Sequence, residues 1–350
     1  MSDSKTDILS FSLPELTDYL VARGFESYRA KQVYGWLYKG RRFEEMRNLP
    51  ASLISFLEEN ALYSLPTVRE KYVSAIDGTV KFLYSLYDRQ PIESVVMQYE
   101  HGYSICISSQ AGCRMGCKFC ASTLNGKDRD LLPSEMLGQI IVAQRELGIR
   151  ISNVVLMGIG EPLDNYDNVV RFLRLSGDEN GLCIGQRHIS LSTCGLVDGI
   201  KKLQKEDLQI TLSISLHAYD DERRSRLMPV NNKWNLHELL SSCADYFRAT
   251  GRRISFEYTL ISGENDTPEG AKKLAALLHK YMRGMPLHVN LIPVNPVRER
   301  GFEKSSAGAV EIFQKTLAAC GINATVRRRL GADINASCGQ LRHRFKDEEA

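Results

Sequence analysis

One octapeptide of this sequence, Cys113-Arg114-Met115-Gly116-Cys117-Lys118-Phe119-Cys120, places three cysteines in a C-x3-C-x2-C spacing. With nine cysteines in 350 residues, chance placement would give this spacing in about six chains per thousand. Three cysteines leave a tetrahedral zinc ion one ligand short, and the closest histidines along the chain are His101 and His188. A [4Fe–4S] cluster held by three cysteines keeps one iron free for another ligand. The spacing therefore favours an iron–sulfur cluster.

Two other interpretations of the octapeptide stay open at this point. A zinc ion or a cluster in such a loop can serve only to tie the loop down, in a protein without catalytic activity. A plain electron carrier of the ferredoxin type is the second alternative. Such a carrier would be expected to offer a fourth cysteine, and it would not need the large sheet domain that the following sequence predicts.

Around and after the octapeptide, apolar strand-like runs alternate with stretches of helical periodicity. Six such units predict a parallel sheet with helices outside, either open or closed into a partial barrel, with the ligand at the carboxyl ends of the strands. Ser134 is a candidate N-cap for the first helix. The predicted strands are Tyr103–Ser108, Asn153–Gly158, His188–Thr193, Gln209–His217, Arg253–Ile261 and His288–Pro293, and the clearest helices are Ser134–Leu147, Asn235–Thr250, Pro268–Tyr281 and Ser305–Cys320.

The sequence before the octapeptide has a different pattern. Apolar spacings of three and four residues predict helices at Leu13–Arg23, Tyr28–Gly40 and Ala51–Glu59. Lys71–Glu100 alternates polar and apolar residues, which predicts short antiparallel strands. We expect an N-terminal helical accessory domain over residues 1–65, a short β-rich connector over residues 66–100 and an α/β core over residues 101–345.

Composition and charge are those of an ordinary soluble globular protein, with 43% hydrophobic residues, 25% charged residues and a formal net charge of +3. An odd number of cysteines in a chain of this size favours reduced thiols or metal ligands over a secreted disulfide framework. The N-terminal residues show no signal-peptide pattern, and the longest apolar runs, such as Ile140–Ala143, are too short to span a bilayer. We therefore expect a cytoplasmic protein without a membrane partner.

Further motifs follow the predicted strands, at the end of the sheet where a ligand would bind. They are Gly158-Ile159-Gly160-Glu161-Pro162, Ser190-Leu191-Ser192-Thr193-Cys194-Gly195, Ser213-Ile214-Ser215-Leu216-His217-Ala218 and Asn290-Leu291-Ile292-Pro293-Val294-Asn295-Pro296. Together with the cysteine spacing, this set resembles the radical SAM superfamily, whose fold is a partial (β/α)6 barrel and whose free iron binds S-adenosylmethionine (SAM). The resemblance implies a [4Fe–4S] cluster on Cys113, Cys117 and Cys120, and SAM contacts at Gly160, Glu161, Ser192, Ser215, Leu216, His217 and Asn295.

Two more cysteine contexts narrow the resemblance. They are Ser104-Ile105-Cys106-Ile107-Ser108-Ser109-Gln110 and Gly331-Ala332-Asp333-Ile334-Asn335-Ala336-Ser337-Cys338-Gly339-Gln340-Leu341. With the N-terminal stretch Arg29–Tyr38, they resemble the RlmN/Cfr family of radical SAM RNA adenine methyltransferases over nearly the whole chain. Pro162 after Gly160-Glu161 is more similar to the RlmN branch, which methylates adenine C2, than to the Cfr branch, which methylates C8.

The resemblance implies a reaction that uses two SAM molecules. Cys338 takes a methyl group from the first SAM as a thiolate, and a 5′-deoxyadenosyl radical from the second removes hydrogen from that methyl group. The carbon radical adds to the ring, Glu93 removes the ring proton, and Cys106 attacks the Cys338 sulfur to release the methylated base. From the residues alone, Glu93 would be a surface charge in a strand and Cys106 a buried inert thiol.

The implied substrate is an adenosine in 23S ribosomal RNA before full ribosome assembly, and the resemblance also admits the adenosine 3′ of the anticodon in certain transfer RNAs. We expect a monomer that is reduced by an external donor such as flavodoxin or ferredoxin. The sequence offers basic residues for phosphate at Lys31, Lys39, Arg41 and Arg42. A C-terminal basic segment, residues 327–346, suits a polyanion or is a solvated tail; it contains Arg327, Arg328, Arg329, Arg342, Arg344 and Lys346.

Overall fold

A small helical unit begins the chain in the computed structural model, which describes residues 5–63 and 65–342. Its first helix starts with a capping box, because the Ser12 hydroxyl accepts from the Glu15 amide (3.4 Å) and the Glu15 carboxylate accepts from the Ser12 amide (2.7 Å). The apolar positions of its helices point inward, where Leu16, Leu20 and Leu37 are fully buried. Its elements are β1 (Thr6–Asp7), α1 (Leu13–Val21), α2 (Tyr28–Tyr38), α3 (Ala51–Asn60) and β2 (Ala61–Leu62).

The rest of the described chain builds one ten-stranded sheet, a two-stranded hairpin and a layer of helices. In chain order the elements are β3 (Thr67–Val73), β4 (Val80–Ser85), β5 (Pro91–Tyr99), β6 (Gly102–Cys106), β7 (Gln110–Gly112), β8 (Lys127–Asp130), α4 (Pro133–Leu147), β9 (Ile151–Leu156), α5 (Tyr166–Ser176), β10 (Ile189–Thr193), α6 (Val197–Leu203), β11 (Thr211–Ser215), α7 (Asp221–Leu227), α8 (Leu236–Thr250), β12 (Ile254–Leu260), α9 (Pro268–Tyr281), β13 (His288–Pro293), α10 (Ala307–Ala319) and β14 (Asn323–Val326).

The strand order confirms the predicted α/β fold. From β6 onward each strand pairs in parallel with the next one in the order β6-β9-β10-β11-β12-β13-β14, and the connecting helices lie outside. All six predicted strands are present. The seventh parallel strand, β14, was not predicted because its four residues contain no apolar run, and three of them are exposed.

The antiparallel strands of the predicted connector continue the same sheet. β3, β4 and β5 pair in sequence, and β5 pairs with β6 of the parallel part through a register that sets Val95 opposite Cys106. Consequently β5, which contains Glu93, lies directly beside the strand that contains Cys106. The hairpin β7–β8, which the sequence pattern did not indicate, brackets the octapeptide.

The start of α4 differs from the prediction. The helix begins at Pro133, and the Glu135 carboxylate accepts the amide of the N-cap residue Leu132 (2.8 Å), so Ser134 is not the cap. The Ser134 hydroxyl instead donates to Asp7 (2.7 Å) in the N-terminal unit. This contact fixes the helical unit against α4 of the half-barrel, which consists of the parallel strands β6 and β9–β14 and their connecting helices. Within residues 5–63 and 65–342, no helix is long and apolar enough to cross a membrane.

Candidate active site at the carboxyl ends of the strands

Two adjoining cavities lie at the carboxyl ends of the parallel strands. The inner cavity has a volume of about 150 Å³ and is lined by the three cysteines of the octapeptide together with the motif residues that follow β9 to β13. The outer cavity has a volume of about 270 Å³ and is lined by Cys106 and residues of the C-terminal segment. Cys338, Asn295 and Arg327 line both cavities. Cys338 therefore lies at the boundary between them.

The octapeptide is held in place by main-chain hydrogen bonds at both ends. The Cys113 amide donates to the Gly126 carbonyl (2.6 Å), and the Lys118 amide donates to the Leu227 carbonyl at the end of α7 (2.9 Å). Gly112 has a φ of 77°, and a β-carbon there would lie 2.1 Å from the Gly126 carbonyl oxygen, so the hairpin requires glycine at this position.

The three octapeptide cysteines are free thiols with a donor set that fits an iron–sulfur cluster. Burial raises the pKa of Cys113 to about 12 and holds the pKa of Cys117 and of Cys120 above the ordinary thiol value. Thiols in such surroundings deprotonate only when metal cations compensate the charge, and soft thiolate donors without an imidazole suit iron–sulfur clusters. Among the described residues, no group of three or more His, Cys, Asp and Glu side chains is arranged so that it could hold a single metal ion.

The Gly160-Glu161-Pro162 turn places a buried carboxylate in the inner cavity. A β-carbon on Gly160, whose φ is 109°, would lie 2.7 Å from the Gln110 amide nitrogen. The Glu161 carboxylate accepts from the Cys194 amide (2.7 Å) and from the Leu163 amide (3.0 Å). Burial nevertheless raises the pKa of Glu161. A carboxylate in this position suits a cationic group such as the amino group of SAM.

The remaining predicted SAM contacts divide into two groups. Ser192, Ser215, His217 and Asn295 line the inner cavity, whereas the fully buried side chain of Leu216 does not. His217 is buried and has a φ of 57°; its Nδ1 accepts from the Thr259 amide (2.9 Å). Burial lowers its pKa to about 3, so the imidazole is neutral at physiological pH.

The loop that contains Cys338 is anchored to the residues directly after the octapeptide and to a residue shortly after β13. The Ala121 amide donates to the Gly339 carbonyl (2.8 Å), the Ser122 hydroxyl donates to the Leu341 carbonyl (2.9 Å), and the Asn295 amide group donates to the Cys338 carbonyl (3.0 Å). The Cys338 thiol is half-buried and free. Cys106 is also free but is buried, and this burial, reinforced by the nearby Cys338, raises the Cys106 pKa to about 12.

Glu93 is the one predicted catalytic residue that lines neither cavity. It is not a surface charge, as the strand pattern alone would suggest, because it is only 5% exposed. One carboxylate oxygen pairs with Lys81 (3.1 Å) and the other accepts from the Arg342 amide (2.8 Å). Burial raises its pKa, against the opposing effect of Lys81. Glu93 therefore contacts the main chain four residues after Cys338.

Sequence reasoning assigned no role at the site to Arg327 or to Glu257. Arg327 belongs to the predicted basic segment, yet only 21% of its side chain is exposed, and it lies between the cavities, 3.9 Å from the Glu257 carboxylate. Glu257 is a buried carboxylate in the inner cavity, held by Asn290 (2.8 Å). A charged residue inside the apolar run of β12 is the signal that could have found it.

The outer cavity is bordered by cations that reach solvent. Arg328 and Arg329 are exposed and line this cavity together with Lys304. Two of the predicted basic residues, Arg344 and Lys346, lie outside the described residues. In the helical unit Lys31, Lys39, Arg41 and Arg42 are exposed, whereas Tyr38 is buried. The described basic surface therefore includes both the mouth of the outer cavity and part of the helical unit.

Two family models match the chain. The model of the radical SAM superfamily matches residues 107–275, which hold the octapeptide and the first three motif loops. The model of the ribosomal RNA large subunit methyltransferase N-terminal domain matches residues 6–62, which form the helical unit.

Individual proteins match over nearly the whole chain. A probable dual-specificity RNA methyltransferase RlmN from Clostridium botulinum (strain Alaska E43) is 53% identical over 340 residues, which is 97% of both chains. The protein of the same name from Clostridium novyi is 52% identical and covers 97% of this chain and 98% of its own. The crystal structure of a radical SAM methyltransferase from Sphaerobacter thermophilus superposes with a TM-score of 0.91 at 40% identity, covering 96% of this chain and 99% of its own.

Proposed function

Because this chain belongs to the RlmN family of radical SAM RNA methyltransferases, we propose that it methylates C2 of an adenosine in 23S ribosomal RNA through a methylated cysteine. One observation carries this proposal: Cys338 lines both the cavity of the three octapeptide cysteines and the cavity of Cys106. A group carried on the Cys338 sulfur can therefore be formed on one side and passed to a substrate on the other.

The family uses a [4Fe–4S] cluster and SAM, and the residues of the inner cavity fit both. Cys113, Cys117 and Cys120 would hold the cluster, and Glu161, Ser192, Ser215, His217 and Asn295 would bind SAM. When bound, these groups supply a methyl group and the removal of a hydrogen atom. The chain itself contributes buried thiols, a buried carboxylate and a neutral imidazole.

Cys338 is the methyl carrier in this proposal. Its sulfur attacks the methyl carbon as a thiolate, so that a carbon–sulfur bond forms while the SAM sulfonium leaves as a thioether. The Arg327 guanidinium lines the same two cavities and stabilises negative charge there. Support for a nucleophilic role also comes from the anchoring of the loop, because Asn295 and Ala121 fix the main-chain carbonyls of Cys338 and of the next residue, Gly339.

Cys106 releases the product. The ring adduct gives its unpaired electron back to the redox couple that supplied it. The Cys106 thiolate then attacks the Cys338 sulfur, so that a disulfide forms and the bond between that sulfur and the transferred carbon breaks; the electron pair of the broken bond stays on that carbon, which takes up a proton to complete the methyl group. The raised pKa of Cys106 keeps this thiol protonated and unreactive until a base accepts its proton. Glu93 is the proposed base for the ring proton. In this structure Glu93 lines neither cavity, and Lys81 and the Arg342 amide contact its two oxygens, so this role requires a rearrangement that exposes the carboxylate to the RNA base.

RNA is the substrate class of the family, and relatives are named dual-specificity RNA methyltransferases. We infer two substrates, 23S ribosomal RNA before full assembly and the adenosine 3′ of the anticodon in transfer RNA. The target base must leave its stack to reach a cavity of this depth, which favours single-stranded or unfolded RNA. The enzyme would act in the cytoplasm as a monomer, reduced by an external donor such as flavodoxin or ferredoxin.

Nucleoside analysis tests the proposal. The anaerobically reconstituted enzyme would be supplied with a reductant, SAM and either unmodified 23S ribosomal RNA or transfer RNA, and the digested RNA analysed by mass spectrometry. We expect 2-methyladenosine in both substrates. The appearance of 8-methyladenosine alone would assign the chain to the C8 chemistry of the Cfr type, and the absence of any methylated adenosine and of 5′-deoxyadenosine would support a non-catalytic metal protein.

A further inference from the structure

Arg224 is a fully buried arginine on α7 whose hydrogen bonds join the ends of two strands at the inner cavity. Its Nη2 donates to the Cys194 carbonyl just beyond β10 (2.6 Å) and to the Ser215 carbonyl at the end of β11 (3.1 Å). Its Nε donates to the Leu216 carbonyl (3.2 Å), and its Nη1 donates to the Asn231 side-chain oxygen (3.0 Å). The planar guanidinium thus fixes the loops that contain the predicted SAM contacts.

The charge of Arg224 has no direct counter-ion in the described part of the chain. Its acceptors there are three main-chain carbonyls and one amide oxygen, and none is a carboxylate. The Asp221 carboxylate is linked only through Asn231, whose amide group donates to it (3.0 Å). Because a buried cation without a counter-ion is costly, a negative charge is expected close by when the protein is in its working state.

The residues that follow Arg224 in the chain contact the octapeptide and the inner cavity. One turn along α7, the Leu227 carbonyl accepts from the Lys118 amide (2.9 Å). The next residue, Met228, lines the inner cavity together with the octapeptide cysteines and Cys194. The buried thiols of Cys194 and Cys117 are the first two side chains whose negative charge would stabilise the guanidinium. A cluster on the octapeptide would therefore place its thiolate charge beside Arg224.

We propose that Arg224 is the buried counter-charge of the iron–sulfur cluster and the positioning residue of the loops that bind SAM. This inference rests on the proposed function. The cluster with its thiolates has a net negative charge, and one electron from the external donor increases that charge. A fixed cation therefore stabilises the reduced form more than the oxidised form and raises the reduction potential.

The loop after β10 is built around this guanidinium. Gly195 has a φ of 105°, and a β-carbon there would lie 3.2 Å from the Arg224 Nη2 and 3.0 Å from the side chain of Leu239. A larger residue would displace the guanidinium from the Cys194 carbonyl. Glycine at this position therefore keeps room for the arginine that joins the two strand ends.

Three variants separate the charge of Arg224 from its hydrogen bonds. Arg224→Met removes both, Arg224→Lys keeps the charge but not the four-fold hydrogen bonding, and Arg226→Met is the matched control. Arg226 is on the same helix, but 57% of its side chain is exposed and it lies 3.7 Å from Glu264, so its loss should not affect the cluster. Arg224→Gln is a second neutral variant for the case in which Arg224→Met does not fold.

The measurements are the iron and sulfide content, the midpoint potential of the cluster from a redox titration followed by electron paramagnetic resonance, and SAM affinity by equilibrium dialysis. We expect the potential to become more negative in the neutral variants and to stay unchanged in Arg224→Lys and Arg226→Met. Arg224→Lys should bind SAM about tenfold more weakly than the parent protein, the lower end of the loss seen when residues that position the ligands of a metal site are replaced.

The outcomes that contradict the inference differ from those that contradict the proposed function. A parent protein without a cluster would overturn the proposed function itself. If the parent holds a cluster and the neutral variants keep its potential and content, Arg224 is not the counter-charge. A loss of cluster that is equal in Arg224→Lys and in the neutral variants would likewise overturn the charge role, because retained charge would then have no effect. Unchanged SAM affinity in Arg224→Lys would overturn the positioning role.

Discussion

The roles proposed for Cys338 and Cys106 can be tested separately, because Cys338 lines both cavities whereas Cys106 lines only the outer one. Cys338→Ala should abolish methylation and leave the iron content unchanged, since all three octapeptide cysteines remain. Cys106→Ala should stop the reaction later and accumulate a covalent protein–RNA adduct, detectable on a denaturing gel. Cys183→Ala is the control, because this thiol is exposed and lines neither cavity. Turnover by the Cys338 variant, or no adduct with the Cys106 variant, would refute these roles.

His217 allows a test of burial at the inner cavity. Its pKa of about 3 lies below the ordinary value of 6.5, mainly because it is buried and secondarily because Arg224 is near. Between these two pKa values the folded state keeps His217 neutral, whereas the unfolded state binds a proton on it. The contribution of His217 to the free energy of unfolding should therefore fall by about 1.4 kcal/mol per pH unit as the pH decreases below 6.5. In cluster-free protein labelled with ¹³C-histidine, the His217 resonance should not titrate between pH 8 and pH 5. A midpoint near 6.5, with the resonance assigned through His217→Gln, would contradict this.

The strands and helices show which elements follow from sequence patterns and which do not. The strands β9 to β13 are apolar runs with polar residues at their carboxyl ends, so the pattern predicted both the sheet and the position of the site. The hairpin β7–β8 has no such signal, because Lys127–Asp130 is entirely charged and is held by pairing with Gln110–Gly112. Tertiary contacts of this kind are invisible to local periodicity.

Single side chains in these elements followed the same rule. From the strand pattern alone Glu93 would be a surface charge, whereas pairing of β5 with β4 and β6 buries it beside Lys81. Arg224 lies in Asp221–Arg226, where every residue except Ser225 is charged, and no local feature distinguishes the buried arginine from the others. The resemblance predicted the site residues because these residues belong to sequence motifs. It did not predict the residues that hold them in place, because those residues belong to no motif.

The turn after β9 is an element whose geometry makes a quantitative prediction. Gly160→Ala would place a β-carbon 2.7 Å from main-chain and side-chain atoms of Gln110, in a region of φ that alanine avoids. We expect a loss of about 1–3 kcal/mol in the free energy of unfolding and weaker SAM binding, because Glu161 follows directly. Gly35→Ala in α2 is the control, since its β-carbon meets no atom within 4 Å, and it should be neutral or stabilising by up to about 1 kcal/mol. Thermal unfolding followed by circular dichroism measures the stability of both variants, and an equal change in stability in the two would contradict strain at Gly160.

At the scale of the whole molecule, the helical unit and the half-barrel are joined by specific polar contacts. Asp7 accepts from Ser134, Arg171 donates to the Ser10 carbonyl (3.0 Å), and Tyr34 donates to Asp178 (3.1 Å). Pairing of β5 with β6 joins strands on either side of the expected domain boundary at residue 100. The division into three domains stays a prediction. These contacts fix the helical unit relative to the half-barrel that holds the two cavities, which the proposed binding of one RNA to both would require.

The mouth of the outer cavity gives a prediction about RNA affinity. Arg328 and Arg329 are exposed there, directly after β14, and each can neutralise one phosphate of a single-stranded substrate. In the double variant Arg328→Gln/Arg329→Gln, we expect weaker RNA binding and a slope of log K against log salt that is less steep by about 1.4, or roughly 0.7 per lost contact. Cluster content should not change, because neither residue lines the inner cavity. The matched control is Arg283→Gln, an exposed arginine in the loop before β13, at the opposite end of the strands. Filter binding over a series of salt concentrations measures the slope, and an unchanged slope in the double variant, or an equal change in the control, would show that RNA phosphates do not dock at this mouth.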